Sequence, residues 1–134
     1  MDYQYEYFPV EASRLPKDVW QPFARAGQPR AYSKNKLLYA QGDHASCFYY
    51  LLSGRIKTFI SSTDGNERLL TIYKKGDILG EAAFFDGQPR VSSAQLLTDA
   101  RVIAIDRPAL ERCLKQTPSL IFSLLQYLSG TVRI

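Results

Sequence analysis

Glycine recurs along the middle of this chain at nearly constant intervals: Gly42, Gly54, Gly65, Gly76 and Gly87, with gaps of 12, 11, 11 and 11 residues. Glycine turns a backbone where other residues resist, so the spacing reads as a series of turns. Turns about every 8–12 residues point to short strands in a sandwich or barrel. The segments between the turns fit strands: LLYA (37–40), CFYYLLSG (47–54), RIKTFI (55–60), ERLLTIY (67–73), ILG (78–80), VSSAQLL (91–97) and RVIAID (101–106). β-Branched and aromatic residues are common in them. CFYYLLSG is apolar enough to be buried. RIKTFI alternates, which puts Ile56 and Thr58 on one side and Lys57 and Phe59 on the other. TDGN (63–66) carries the Asp-Gly of a tight hairpin, and KKGD (74–77) turns again. No helical pattern lies between Gly42 and Gly80. The even spacing reflects hairpin length, since no side-chain repeat accompanies it.

Both ends of the chain differ from this middle. Residues 1–30 are irregular, with prolines at 9, 16, 22 and 29, and Lys17–Ala26 reads as a short helix interrupted near Pro22. After Asp106 the pattern becomes helical. Asp106 is placed to cap, Pro108 falls in the first turn, and ALERCLKQ continues the helix. Thr117-Pro118 opens a second helix in the same way. In that helix Ile121, Leu125, Leu128 and Val132 are spaced 4, 3 and 4 residues apart, like a coiled-coil seam. Leu120, Leu124 and Tyr127 form a neighbouring stripe. Two adjacent apolar faces are wide enough to touch both a barrel and a partner helix; packing of the whole stripe on its own core is the other reading. The spacing runs past Gly130, and the sequence ends at Ile134 as if within the helix.

At 134 residues the chain is read as one domain, residues 1–134, with 46% apolar and 22% charged residues, as in soluble globular proteins. No run approaches the roughly 18–20 apolar residues of a membrane span. The N-terminal MDYQYEYFPVEAS is acidic and tyrosine-rich, unlike a signal peptide, so a cytoplasmic location is expected. The net charge of +4 is spread over dispersed residues, which suits a solvated surface as well as an anionic ligand. Cys47, Cys113 and His44 are too few and too scattered for an iron–sulfur cluster or a zinc site. The cysteines read as small buried apolar side chains, and His44 as exposed in a turn. A metal enzyme on a similar barrel needs two or three histidines, and Glu81 has no acid–base partner, so no enzyme is expected.

The segment GEAAFFDGQPRVSSA (80–94) carries the chemistry. Gly80 permits a tight turn after the apolar strand, and Glu81 to Phe85 suit one helical turn whose first N–H groups favour an anion. Asp86-Gly87 ends it. Pro89 stiffens the approach to Arg90, which can give a two-pronged hydrogen bond to a phosphate. The backbone N–H groups of Ala82, Ala83 and Val91 offer more donors. Glu81 repels phosphate but accepts from a sugar hydroxyl, so the pair suits a phosphate beside a ribose. On residue types alone, a surface Glu81–Arg90 salt bridge, worth about 0–1 kcal/mol, is equally open.

GEAAFFDGQPRVSSA resembles the phosphate-binding cassette of cyclic nucleotide-binding domains, through Gly80-Glu81, Ala83, Gly87, Pro89-Arg90 and the small residues that follow. NKLLYAQGD, FYYLLSGRIK, TDGNERLL and KKGDILGE extend the likeness, and from about Leu15 onward the chain resembles the sensor half of Crp/Fnr-type bacterial transcription regulators. The resemblance implies a mainly β fold with flanking helices: a double-stranded β-helix, or jelly roll, over about residues 15–106, and C-terminal helices over 107–134. It implies a cyclic nucleotide, cyclic AMP rather than cyclic GMP, and no metal. Glu81 would hold the ribose 2′-hydroxyl and Arg90 the cyclic phosphate, with Gly80, Ala82, Ala83, Val91 and Ser92 around them. Leu70 and Tyr73, with Tyr39, would line the base side. Val91 stands where the bacterial cyclic AMP receptor pattern has a hydroxyl residue and the kinase-type pattern a small apolar one. The last helix would pair two copies as a homodimer, DNA would be met only by a domain absent from this chain, and no membrane is involved. Since family members also sense haem-bound gas, redox state or small organic anions, the same fold with such an effector is the alternative.

Overall fold

The structure, a computed structural model, describes residues 15, 16 and 18–132. In chain order the strands are β1 (Arg30–Tyr32), β2 (Leu37–Tyr39), β3 (Phe48–Ser53), β4 (Ile56–Ser61), β5 (Glu67–Tyr73), β6 (Ile78–Leu79), β7 (Ser93–Leu96) and β8 (Ala100–Ile105). The helices are α1 (Glu81–Asp86), α2 (Arg107–Gln116) and α3 (Ser119–Val132). One sheet has the order β1-β8-β3-β6 and the other β2-β7-β4-β5. Every pair is antiparallel. The chain crosses repeatedly between two facing sheets, which is a jelly roll.

β3 shows why its sequence is apolar without alternation. Tyr49 and Leu51 point between the sheets, where they meet Ile56, Leu79, Leu96 and Val102. Phe48 and Tyr50 point the other way, toward Trp20, Phe23, Leu110, Leu120 and Leu124. A strand covered on both faces has no solvent side on which to carry polar residues. The outer cover is α2, α3 and a 3-10 turn at Gln21–Arg25. A chain of aromatic rings ties this cover together. Tyr127 meets Trp20 edge-on at 5.6 Å, Trp20 stacks on Phe23 at 6.0 Å, Phe23 meets Phe48 edge-on at 5.5 Å, and Phe48 meets Phe84 of α1 at 5.2 Å.

The regularly spaced glycines all take positive φ, from 72° to 94°. Gly54 is the most constrained, since a Cβ there would lie 2.4 Å from the Asp99 carbonyl oxygen. Two turns share one hydrogen-bond pattern. The amide of Ala40 donates to Asp43 Oδ2 at 3.0 Å, and that of Lys74 to Asp77 Oδ2 at 2.8 Å. The amides of Asp43 and Asp77 return the bond to the carbonyls of Ala40 and Lys74, each at 3.0 Å.

Helix signals in the C-terminal part hold. Asp106 Oδ1 accepts from the Ala109 amide at 3.0 Å, and Pro108 sits in the first turn of α2. α3 runs through Gly130 to Val132. Leu120 and Leu124 are buried against the domain and Tyr127 packs beside them. Ile121, Phe122 and Leu125 remain 49%, 68% and 60% exposed, so the broad stripe does not pack wholly on its own core. Leu128 is half-buried, and the side chain of Val132 lies outside the described residues.

Three expectations need correction. The Lys17–Ala26 helix is instead the 3-10 turn, which Pro22 starts and does not interrupt, because a first turn needs no N–H from it; Lys17 lies outside the described residues. β1 is an additional edge strand, paired with β8 from Arg30↔Val102 to Tyr32↔Ala100. Phe59 is buried together with Thr58, because the register shifts there. Thr58 faces Thr71 and Phe59 faces Leu69, leaving Leu70 as the extra residue of a bulge that resets the alternation.

Phe48 is fully buried at the junction of the aromatic chain. Phe48→Ala is expected to destabilise the fold by about 3–5 kcal/mol. Urea unfolding followed by Trp20 emission measures this; a loss below about 1 kcal/mol would show that the ring is not a structural junction.

Candidate functional site

Gly80 ends β6 in left-handed backbone (φ 79°) and stands immediately before α1. Its missing side chain makes room for two others. A Cβ there would lie 2.7 Å from Arg90 Nη1 and 3.3 Å from Tyr39 Cε2. α1 is closed by Gly87, also left-handed, whose amide bonds back to the Ala83 carbonyl at 3.1 Å. The chain then returns so that the Arg90 amide donates to the Asp43 carbonyl and the Arg90 carbonyl accepts from the Gly42 amide, both at 2.8 Å.

The Arg90 side chain is only 5% exposed. Nη1 donates to the Gly80 carbonyl and Nη2 to the Cys47 carbonyl, each at 2.6 Å. The guanidinium lies over the Tyr39 ring with its carbon 4.1 Å from the centroid. Tyr39 in turn stacks on Tyr49 at 6.1 Å, with ring planes 16° apart. Nε is buried and has no partner among the described residues. Glu81 is also buried, and its Oε1 likewise has no partner among the described residues. Among the described residues the two side chains form no ion pair with each other. The surface salt bridge is therefore excluded: both groups are inside and neither satisfies the other.

Burial pushes the Glu81 carboxyl from its ordinary 4.5 up to about 7, against the weaker opposing pull of its own backbone amide and of Arg90. The same carboxylate helps raise the hydroxyls of Tyr73, Tyr39 and Tyr127, in each case behind their own burial. Glu81 is thus sensed by residues of β2, β5 and α3 together.

The other expected residues fall around this pair. Ala83 is buried in α1, Ala82 is exposed, Val91 is 66% exposed and Ser92 is 8% exposed. Ser93, the next residue, accepts from the Gln41 amide at 2.9 Å and so serves the scaffold. Leu70 is half-buried at the bulge in β5, and Tyr73 packs on the core between the sheets. Tyr39, expected on the base side, lies against the guanidinium. Cys47, expected to be buried, is half-buried, and its carbonyl belongs to the site. No side-chain pattern announces a carbonyl, so this contact has no signal in the sequence. Cys113 is buried and His44 exposed as expected. Among the described residues, no three His, Cys, Asp or Glu side chains gather as a metal site, and no helix is long and apolar enough to cross a membrane.

A carboxyl with a raised folded-state pKa holds its proton more tightly folded than unfolded. Its contribution to stability is therefore fully present below pH 4.5 and is lost as pH rises toward about 7. Urea midpoints measured across that window should fall with pH in the native chain and lose this component in Glu81→Gln; parallel profiles would refute a buried, proton-holding Glu81.

The model of the family described as cyclic nucleotide-binding domain matches residues 29–117. A CRP-like cAMP-activated global transcriptional regulator of Mycobacterium tuberculosis is 34% identical over 106 residues, 79% of this chain and 47% of that protein. The anaerobic regulatory protein of Bacillus subtilis is 29% identical over 126 residues, 93% of this chain and 53% of that protein. The chain spans about half the length of these two relatives. The crystal structure of the Thermus thermophilus catabolite activator protein is similar with a TM-score of 0.76 at 25% identity, over 95% of this chain and 58% of that one. The matched residues include both sheets, the Gly80–Arg90 cassette and α2, and the chain belongs to the cyclic nucleotide-binding domain family.

Proposed function

We propose that this chain is the effector-sensing domain of a Crp/Fnr-type transcription regulator, and that it holds a cyclic nucleotide, cyclic AMP in first place, between Glu81 and Arg90. One observation carries the reading. Among the described residues the site has one buried acceptor without a partner, Glu81 Oε1, and one buried donor nitrogen without a partner, Arg90 Nε. Each such group costs about 1–3 kcal/mol to leave unsatisfied. A ligand bearing a hydroxyl beside a negative phosphate satisfies both at once. The chain acts by binding, in the cytoplasm, with no metal and no catalysis. Gly80, Ala82, Ala83, Val91 and Ser92 surround the phosphate, and Leu70 and Tyr73 face the base.

Calorimetric titration with cyclic AMP and cyclic GMP tests this. Arg90→Ala and Glu81→Ala should each weaken binding at least about tenfold, since a hydrogen bond to a charged group contributes about 1.5–3 kcal/mol. Absence of heat up to millimolar nucleotide would reject a nucleotide ligand.

A second reading keeps the fold and changes the effector to a haem-bound gas, a redox signal or a small organic anion. The observation that favours it is that Arg90 is already tied to the carbonyls of Gly80 and Cys47. Surface cavities of about 620 Å³ beside α2 and α3 and about 320 Å³ beside β1 and β8 are lined by neither Glu81 nor Arg90. An absorption spectrum of the purified chain distinguishes bound haem from the nucleotide reading.

The exposed Ile121, Phe122 and Leu125 belong to the same proposal: α3 pairs two copies in a homodimer, and DNA is met by a separate domain outside these 134 residues. Leu125→Glu should shift the sedimentation of the chain toward monomer; an unchanged sedimentation coefficient for a dimeric parent would place the interface elsewhere.

A further inference from the structure

We infer that Tyr39 is the positioning residue that sets which phosphate Arg90 accepts. This rests on the nucleotide reading above and goes beyond it in assigning the discrimination to a residue outside the cassette. The guanidinium is fixed in three ways. Its two terminal nitrogens are held by the carbonyls of Gly80 and Cys47 at 2.6 Å. Its face rests on the Tyr39 ring at 4.1 Å, within the range of a cation–π contact. The Tyr39 ring is itself stacked on Tyr49, in space that Gly80 leaves open, since a Cβ there would come within 3.3 Å of it.

The consequence is directional. An arginine on a free stem turns to meet any anion, whereas a clamped one offers Nε and the second N–H of each terminal nitrogen from fixed positions only. With Glu81 buried nearby, a second negative charge on the phosphate is unfavourable. A clamped Arg90 therefore favours a singly charged cyclic diester over a monoester with a mobile, more highly charged phosphate. Without the aromatic face only the two carbonyl bonds hold the guanidinium, so it follows the monoester more readily and the preference falls. The ring is what matters here, and its hydroxyl is dispensable.

Two measurements test this on the 134-residue chain. The first needs no ligand: solvent exchange of the Arg90 Nε–H, followed by NMR. It should be slow in the native chain and in Tyr39→Phe, and fast in Tyr39→Leu. Slow exchange in Tyr39→Leu would overturn the clamp, and amide spectra of each variant confirm that it is folded. The second is calorimetric titration with cyclic AMP and 5′-AMP. Tyr39→Phe should keep the native preference for the cyclic ligand, and Tyr39→Leu should lose it. An undiminished preference in Tyr39→Leu overturns the inference while leaving the nucleotide reading intact. If the native chain binds neither nucleotide, the nucleotide reading fails and the role of Tyr39 in phosphate choice fails with it, and the exchange measurement then decides the clamp alone.

Discussion

A buried positive charge is the constraint around which this domain is arranged. Moving an unpaired guanidinium out of water costs several kcal/mol, so the fold must give Arg90 partners. Among the described residues it does so without a carboxylate. The partners are the Gly80 and Cys47 carbonyls and the face of Tyr39. These come from the start of α1, the approach to β3, and β2. The backbone of Arg90 adds the Gly42–Asp43 turn through bonds to both residues. One side chain and its own peptide thus join four separate segments at one end of the barrel. The glycine at position 80 follows from this packing, since any larger residue would compete with Arg90 Nη1 for the same space.

α1 sits where the two cores of the molecule meet. Its Phe84 contacts Phe48, and from there the rings lead through Phe23 and Trp20 to Tyr127 on α3. Its Glu81 acts electrostatically on Tyr39, Tyr73 and the same Tyr127. Tyr127 therefore feels α1 by packing through one route and by charge through another. A ligand can use such a connection only if it binds one arrangement of α3 better than the other. α3 is a 14-residue helix, stiff enough that a shift of its inner side also moves its outer side. Leu120 and Leu124 lie inside, and Ile121 and Leu125 outside, on this one element.

Much of this was legible in the sequence for identifiable reasons. Left-handed turns demand glycine, so the series from Gly42 to Gly87 marked the hairpins. Asp106 and Pro108 marked the start of α2 because capping and a missing N–H are local chemistry. The Glu81–Arg90 pair was visible as residue types, but not its state: burial of both, with one unpartnered atom on each, depends on contacts far along the chain. The clamp was less visible still. Cys47 acts through its carbonyl, which every residue possesses, and Tyr39 is one of nine tyrosines. Phe59 defeated a strict alternation because a bulge is decided by the pairing of two strands, and one strand alone does not reveal it. β1, three residues on an edge, is too short to show a period.

The protonation of Glu81 links the electrostatics of the site to its use. Water is withheld from the carboxyl, which raises its pKa, yet Arg90 and the backbone amide keep the rise at about 7. Near neutral pH the ionised form is then within reach of the protonated one. Recruiting the ionised form to accept a ligand hydroxyl then costs little. A carboxyl buried without those two opposing groups would sit higher and be harder to ionise. Arg90 therefore contributes twice. It offers a donor to an anion, and its charge keeps the neighbouring acid ready to accept.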